Sequence, residues 1–145
     1  MQVSYDTFYT KIFPIYTLEE LIQYKEELIK YIEENKEKMK EEDLKLYISF
    51  DWHLQGAIIS KKLNLSSLQY EDLREMRSDN YKQQRYMQRC EEAIEESSED
   101  NKKGFYMQWS ELEEEMDGIE FEISRRKFFE ERSNEILFPT IQFVA

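Results

Sequence analysis

The sequence predicts an all-α fold: a single, four-helix, bundle-like domain with an aromatic arm at each end. Three observations carry this. Apolar residues recur at helical spacing through most of the 145 residues. Only three glycines and two prolines interrupt the chain, which leaves little material for loops. Glutamate and lysine pair at i, i+4 on polar faces, as in Glu26 with Lys30 and Glu34 with Lys38. A chain of this length buries a core without metal or disulfide, and 14% aromatic content argues against disorder despite 36% charged residues.

Residues 1–16 form an N-terminal arm. Tyr5, Phe8, Tyr9, Ile12, Phe13, Ile15 and Tyr16 stand beside only two charges, Asp6 and Lys11. Such a segment packs on the helices, partly extended and broken at Pro14. It has no basic run leading into an apolar one, so it does not read as a secretory signal.

A first helix spans 17–40. Thr17 and Glu20 fit a capping box, and Leu18, Leu21, Ile22, Leu28, Ile29 and Ile32 form its stripe. The charged run beyond Lys36 reads as a frayed, solvated end. A second helix spans 44–63, with Asp43 as its cap. It is apolar around much of its circumference, which marks the centre of the core, and Gly56 invites close approach by a neighbour.

A third helix spans 67–96, with Ser66 and Gln69 as a second capping box. Leu73, Met76, Met87, Cys90 and Ile94 share a face that Asn80 and Gln83 interrupt. That polar middle implies a kink, a buried hydrogen-bond site or a segment leaving the core. At about 45 Å the helix either bends or projects.

Ser97–Lys103 reads as a turn, and the fourth helix spans 104–132. Phe105, Trp109, Leu112, Met116, Ile119 and Ile123 line one of its faces at spacings of 4, 3, 4, 3 and 4. Gly118 is a weak point within it. Residues 133–145 form a C-terminal arm whose alternation permits a short β pairing with the N-terminal arm, confined to an edge by Pro139.

Catalytic chemistry finds little to work with. One histidine and one cysteine cannot build a zinc site of the His/Cys kind or a di-iron bundle site. Gly56, Gly104 and Gly118 are isolated, so no phosphate-cradling loop exists. His53 lies on a largely apolar helix and reads as a core or boundary residue. Cys90 reads as a small packing residue, and a lone cysteine suits a reducing, cytoplasmic setting. The expectation is a protein that is not an enzyme and needs no cofactor or metal. No run of apolar residues is long enough to span a membrane.

Charge is the informative signal. The net value is −12, from 32 acids against 20 bases. From Glu91 to Glu122 there are thirteen acids and two lysines, a local balance of −11. A turn at Ser97–Lys103 would make a helical hairpin and bring Glu91, Glu95 and Glu96 beside the start of the fourth helix. With Glu111, Glu114, Glu115 and Glu122 they form the candidate partner-binding set. Acids near the C-terminus of the third helix oppose its dipole, which a basic partner would compensate.

The bases of the third helix, Arg74, Arg77, Lys82, Arg85 and Arg89, lie among four acids. Over Ser66–Cys90 the balance is only +1. These arginines are expected to pair with acids or a neighbouring helix, not to bind nucleic acid directly.

In size, charge and lack of catalytic motifs the chain resembles, as a physical type, the DNA-mimic inhibitors that phages and mobile elements deploy against host nucleases. That likeness implies a small acidic protein that binds and inhibits a basic partner, a nuclease or another nucleic-acid-binding protein. The alternative is a helical adaptor or self-associating protein that uses an apolar and aromatic surface, as a homo-oligomer or with another partner.

Overall fold

The longest helix is the spine on which the others are hung. In the computed structural model, backbone is described for residues 2–144 and side chains for residues 2–132. The chain is all-α: α1 (Tyr5–Thr7), α2 (Leu18–Asn35), α3 (Glu41–Lys62), α4 (Tyr70–Glu95) and α5 (Glu99–Val144). A π-helical turn, Phe8–Ile12, continues α1, and a 3-10 turn, Leu65–Ser67, joins α3 to α4. No strand occurs among the described residues. Residues 133–144 continue α5 in place of the edge strand that their alternation allowed. How the C-terminal arm packs lies outside the described side chains.

The N-terminal arm packs as expected but is helical. Ser4 caps α1 by accepting from the Thr7 amide, and the helix widens so that Phe13 N–H donates to the Phe8 carbonyl at 2.8 Å. Phe8 is fully buried against the rings of Phe13, Tyr24, Phe50 and Phe121. Lys61, from the last turn of α3, donates to the carbonyls of Phe13 and Tyr16 and sits over the Phe13 ring. Burial pushes its ammonium pKa down.

The capping box of α2 is complete in both directions, Thr17 with Glu20, each bond 3.1 Å. Two other expected caps are absent. α3 begins at Glu41, two residues ahead of Asp43, and Ser66 lies in the 3-10 turn while Gln69 starts α4 without a side-chain cap bond. At α3 the charged residues ahead of Asp43 are already helical and absorb it; at Ser66 a separate 3-10 turn, entered through left-handed Asn64, takes the segment, and α4 begins only at Tyr70.

α3 is the centre of the main core, burying Phe50, Leu54, Ala57 and Ile58 with Leu21 and Leu28 of α2 and Phe121 of α5. It crosses α5 through two glycines. A Cβ on Gly56 would stand 2.6 Å from the Asp117 carbonyl oxygen, and one on Gly118 would stand 2.8 Å from Ile59 Cγ2. Gly118 is therefore a packing point where the sequence suggested a weak one.

A second, smaller core joins Leu65, Leu73 and Ile119. Beyond Ile119 toward the tip, α4 and α5 continue as an antiparallel two-helix arm. Five of the six stripe residues of α5, Phe105 to Ile119, lie along this seam, yet only Ile119 is fully buried, because α4 alone covers the rest; Ile123 packs in the smaller core with Leu65 and Leu68. Asn80 resolves the polar middle of α4: it is 1% exposed and donates to the Leu112 carbonyl and to Glu115, each at 2.9 Å. The arm ends at a turn shorter than expected, Glu96–Ser98. Ser98 accepts from the Asn101 amide and starts α5 five residues before Gly104.

Candidate functional site

The turn at the tip sets the acidic end of α4 beside the start of α5, while Glu111 and Glu114 lie further along α5, about level with Arg85. Tyr106 of α5 donates its hydroxyl to Glu95 of α4, and Lys102 lies 3.9 Å from Glu95 and 3.6 Å from Glu99. Glu96 is exposed at the C-cap of α4, and Glu91 is half-buried. Glu111 and Glu114 are exposed along the side of α5, with no ion pair among the described residues. Five of the seven candidate carboxylates thus line the arm surface: Glu91, Glu95, Glu96, Glu111 and Glu114.

Two do not belong to a docking face. Glu122 is fully buried. Its oxygens accept from Arg125 at 2.7 and 2.9 Å and from Arg126 at 2.8 Å, and Arg126 reaches on to the carbonyls of Leu65 and Leu68. Burial works to raise the Glu122 pKa, and the hydrogen bonds and charges of the two arginines outweigh it, holding the carboxyl below its ordinary value. Glu122 is a structural anchor for the α3–α4 connection. The clue was present in sequence, since arginines at i+3 and i+4 are positioned to cover a carboxylate. Glu115 is likewise engaged, by Asn80.

The remaining acids create a field that the arm itself registers. The Tyr106 hydroxyl is pushed up to about 12, first by its hydrogen bond to Glu95, then by burial and the charges of Glu95 and Glu91. Asp117 is raised by burial and by the charges of Glu113 and Glu114. These are like charges held close.

His53 sits where the sequence placed it, at a boundary. Its Nε2 meets the Tyr9 hydroxyl, and its ring packs 4.8 Å from that of Phe121. Burial lowers its pKa to about 4, so it is neutral at pH 7. Among the described residues no cluster of three His, Cys, Asp or Glu is arranged to hold a metal ion, and no helix is long and apolar enough to cross a membrane.

A feature that the charge count along the sequence discounted lies along the seam. Arg74, Arg77, Tyr81 and Arg85 line an open groove of about 930 Å³ with Met116 and Glu120 of α5. None of the four acids interspersed in the sequence lines it. Arg77 pairs with Glu120 at 2.9 Å, while Arg74 and Arg85 stack over Tyr70 and Tyr81. Of the four arginines expected to pair with acids or a neighbouring helix, Arg77 does so by an ion pair to Glu120 of α5. The +1 balance averaged two faces of one helix that carry opposite charge.

No family model, curated protein or solved structure matches the chain. Its surface chemistry is the ground for a functional reading.

Proposed function

We propose that the protein is a binding module whose acidic arm docks on the basic surface of a protein partner and occludes it. The partner class is a nuclease or another nucleic-acid-binding protein, because their basic grooves are made to receive closely spaced anions. The observation that carries this reading is the spread of Glu91, Glu95, Glu96, Glu111 and Glu114 along one two-helix projection, away from the main core. A projecting anionic rod steers and registers a cationic partner. The unpaired Cys90 suits a cytoplasmic setting.

The test is a binding titration against purified basic nucleases, with duplex DNA as competitor. Affinity should fall by about tenfold or more between about 50 and 300 mM salt, and DNA should displace the protein. Glu96→Lys, Glu111→Lys and Glu114→Lys together should abolish binding while leaving the helical circular dichroism unchanged. Salt-independent binding, or binding retained by the triple variant, would sink the proposal.

One observation favours an adaptor reading as the second choice. An apolar groove of about 450 Å³ runs along the arm between Tyr86, Cys90 and Ile94 of α4 and Phe105 and Leu112 of α5. Binding there would survive high salt and be lost on Phe105→Glu.

A further inference from the structure

The groove side of the arm carries opposite charges on its two helices. On α4, Arg74, Arg77, Tyr81 and Arg85 follow one another at spacings of 3, 4 and 4, a single helical stripe about 16 Å long. On α5, Glu113, Asp117 and Glu120 form a parallel stripe at spacings of 4 and 3. Glu120 lines the arginine groove, and Asp117 shares the adjoining hollow with Glu120, so the two stripes face the same way.

Within one chain these charges are only partly matched. Arg77 and Glu120 pair with each other. Arg74, Arg85, Glu113 and Asp117 have no ion pair among the described residues, which leaves two cations and two anions on one face. The register of the hairpin orders them. Arg77 lies opposite Glu120 and Asn80 opposite Leu112 and Glu115, so Arg74 is at the Glu120 end and Arg85 toward Glu113.

A face of this kind is its own complement. Rotating a second copy by a half-turn about an axis along the seam places α4 of each chain over α5 of the other, at the same level. Both basic stripes then meet acidic stripes, with Arg85 near Glu113 of the second copy, Arg74 at its Glu120 end, and Asp117 at a level between them. We infer that the α4/α5 groove face is an isologous dimer interface, its occupant a second copy of this chain.

The residue types agree. Tyr81 is 57% exposed on this face, Tyr70 52%, and Trp52 of α3, beside Asp117, is 76% exposed. Tyrosine, tryptophan and arginine are the side chains that dominate protein–protein interfaces. The net charge of −12 opposes association of like chains, but that repulsion is screened beyond about 8 Å at 0.15 M salt, whereas facing stripes are in contact. A single-stranded nucleic acid, the other polymer that takes arginine and tyrosine together, would meet Glu113, Asp117 and Glu120 along one wall of the groove. The second copy turns those acids into contacts. The dimer would leave Glu111 and Glu114 free on the far side of each α5 and present two acidic arms together.

Sedimentation equilibrium of the full chain at 0.15 M salt tests this, with two charge-reversed variants whose fold is checked by circular dichroism. The wild type should sediment at twice its 17.9 kDa mass. The double variant Arg74→Glu/Arg85→Glu and the double variant Glu113→Arg/Asp117→Arg should each be monomeric. An equimolar mixture of the two should return to the dimer, since each reversed stripe then faces an opposite one. A monomeric wild type, a dimer that survives Arg74→Glu/Arg85→Glu, or a mixture that stays monomeric would each overturn the inference. So would a wild-type monomer that binds a fluorescein-labelled single-stranded oligonucleotide and loses it in Arg74→Glu/Arg85→Glu, which would assign the face to nucleic acid.

Discussion

Replacing Glu122 by Gln should destabilise the fold without touching the acidic surface. The carboxylate is fully buried, and its two guanidinium partners are about a fifth exposed. Gln keeps the volume and one acceptor oxygen but leaves two cations without a counter-charge at the joint that holds the Leu65 and Leu68 carbonyls. Breaking a buried pair from one side costs about 3–5 kcal/mol, and the partial access of both arginines to water argues for the lower end, about 3 kcal/mol. With an unfolding entropy of about 2.1 cal/mol/K per residue, 145 residues give about 0.3 kcal/mol/K, so Tm should fall by about 10 °C. The pH dependence supplies a second reading. Glu122 is held below its unfolded pKa, so its stabilisation is fully present above about pH 4.5 and is lost as pH falls through the folded value. The gap between wild type and Glu122→Gln should therefore be constant from pH 7 to about 5 and close in stronger acid. Thermal melts followed at 222 nm measure both. A loss below about 1 kcal/mol, or a gap unchanged by acid, would refute the anchor assignment.

Two further perturbations test the packing of the helices. His53 titrates near 6.5 unfolded and about 4 folded, so the unfolded chain binds the extra proton between those values. Stability should fall by up to about 3 kcal/mol as pH drops from 6.5 to 4, seen in urea midpoints; His53→Phe should flatten this part of the profile, and an unchanged slope would count against it. The glycines should separate by sign. Gly104→Ala meets nothing within 4 Å and should stabilise by about 1 kcal/mol through helix propensity. Gly118→Ala drives a methyl into Ile59 and should cost about 1–3 kcal/mol in denaturant titrations; equal effects at both positions would contradict the close crossing.

Helices and their faces were legible because periodicity reports them directly. The Thr17 capping box, the buried face of α3 and the seam stripe of α5 all follow from spacing. Where reading failed, competing local chemistry was the reason. Asp43 and Ser66 are good caps in isolation, but the residues ahead of Asp43 are already helical, and Ser66 falls in a 3-10 turn that ends before α4 begins at Tyr70. Ser97–Lys103 has turn composition, yet Ser98 supplies a cap strong enough to begin α5 at Glu99. The depth of burial was hidden for another reason. Spacing shows that Phe105, Trp109, Leu112 and Met116 face a partner; it does not show that only one helix would be that partner.

Charge was harder to read than hydrophobicity, and the two errors have one origin. A count along the chain treats every carboxylate as equivalent, whereas a helix turns successive residues through about 100° and sends them to different environments. Glu122 was grouped with Glu111 and Glu114 because all are acids on one helix, but two arginines on the next turn claim it. Arg74 and Arg85 were discounted because Glu71, Asp72, Glu75 and Asp79 are neighbours in sequence, but none of those acids lines their groove. Sorting charges by helix face before adding them changes the picture of this protein. A uniformly acidic chain becomes one with an anionic outer arm, a buried ion cluster at the joint, and a face on which basic and acidic stripes lie side by side. Only the first of these is visible in the net charge. The third gives self-association a physical basis that a total of −12 would argue against.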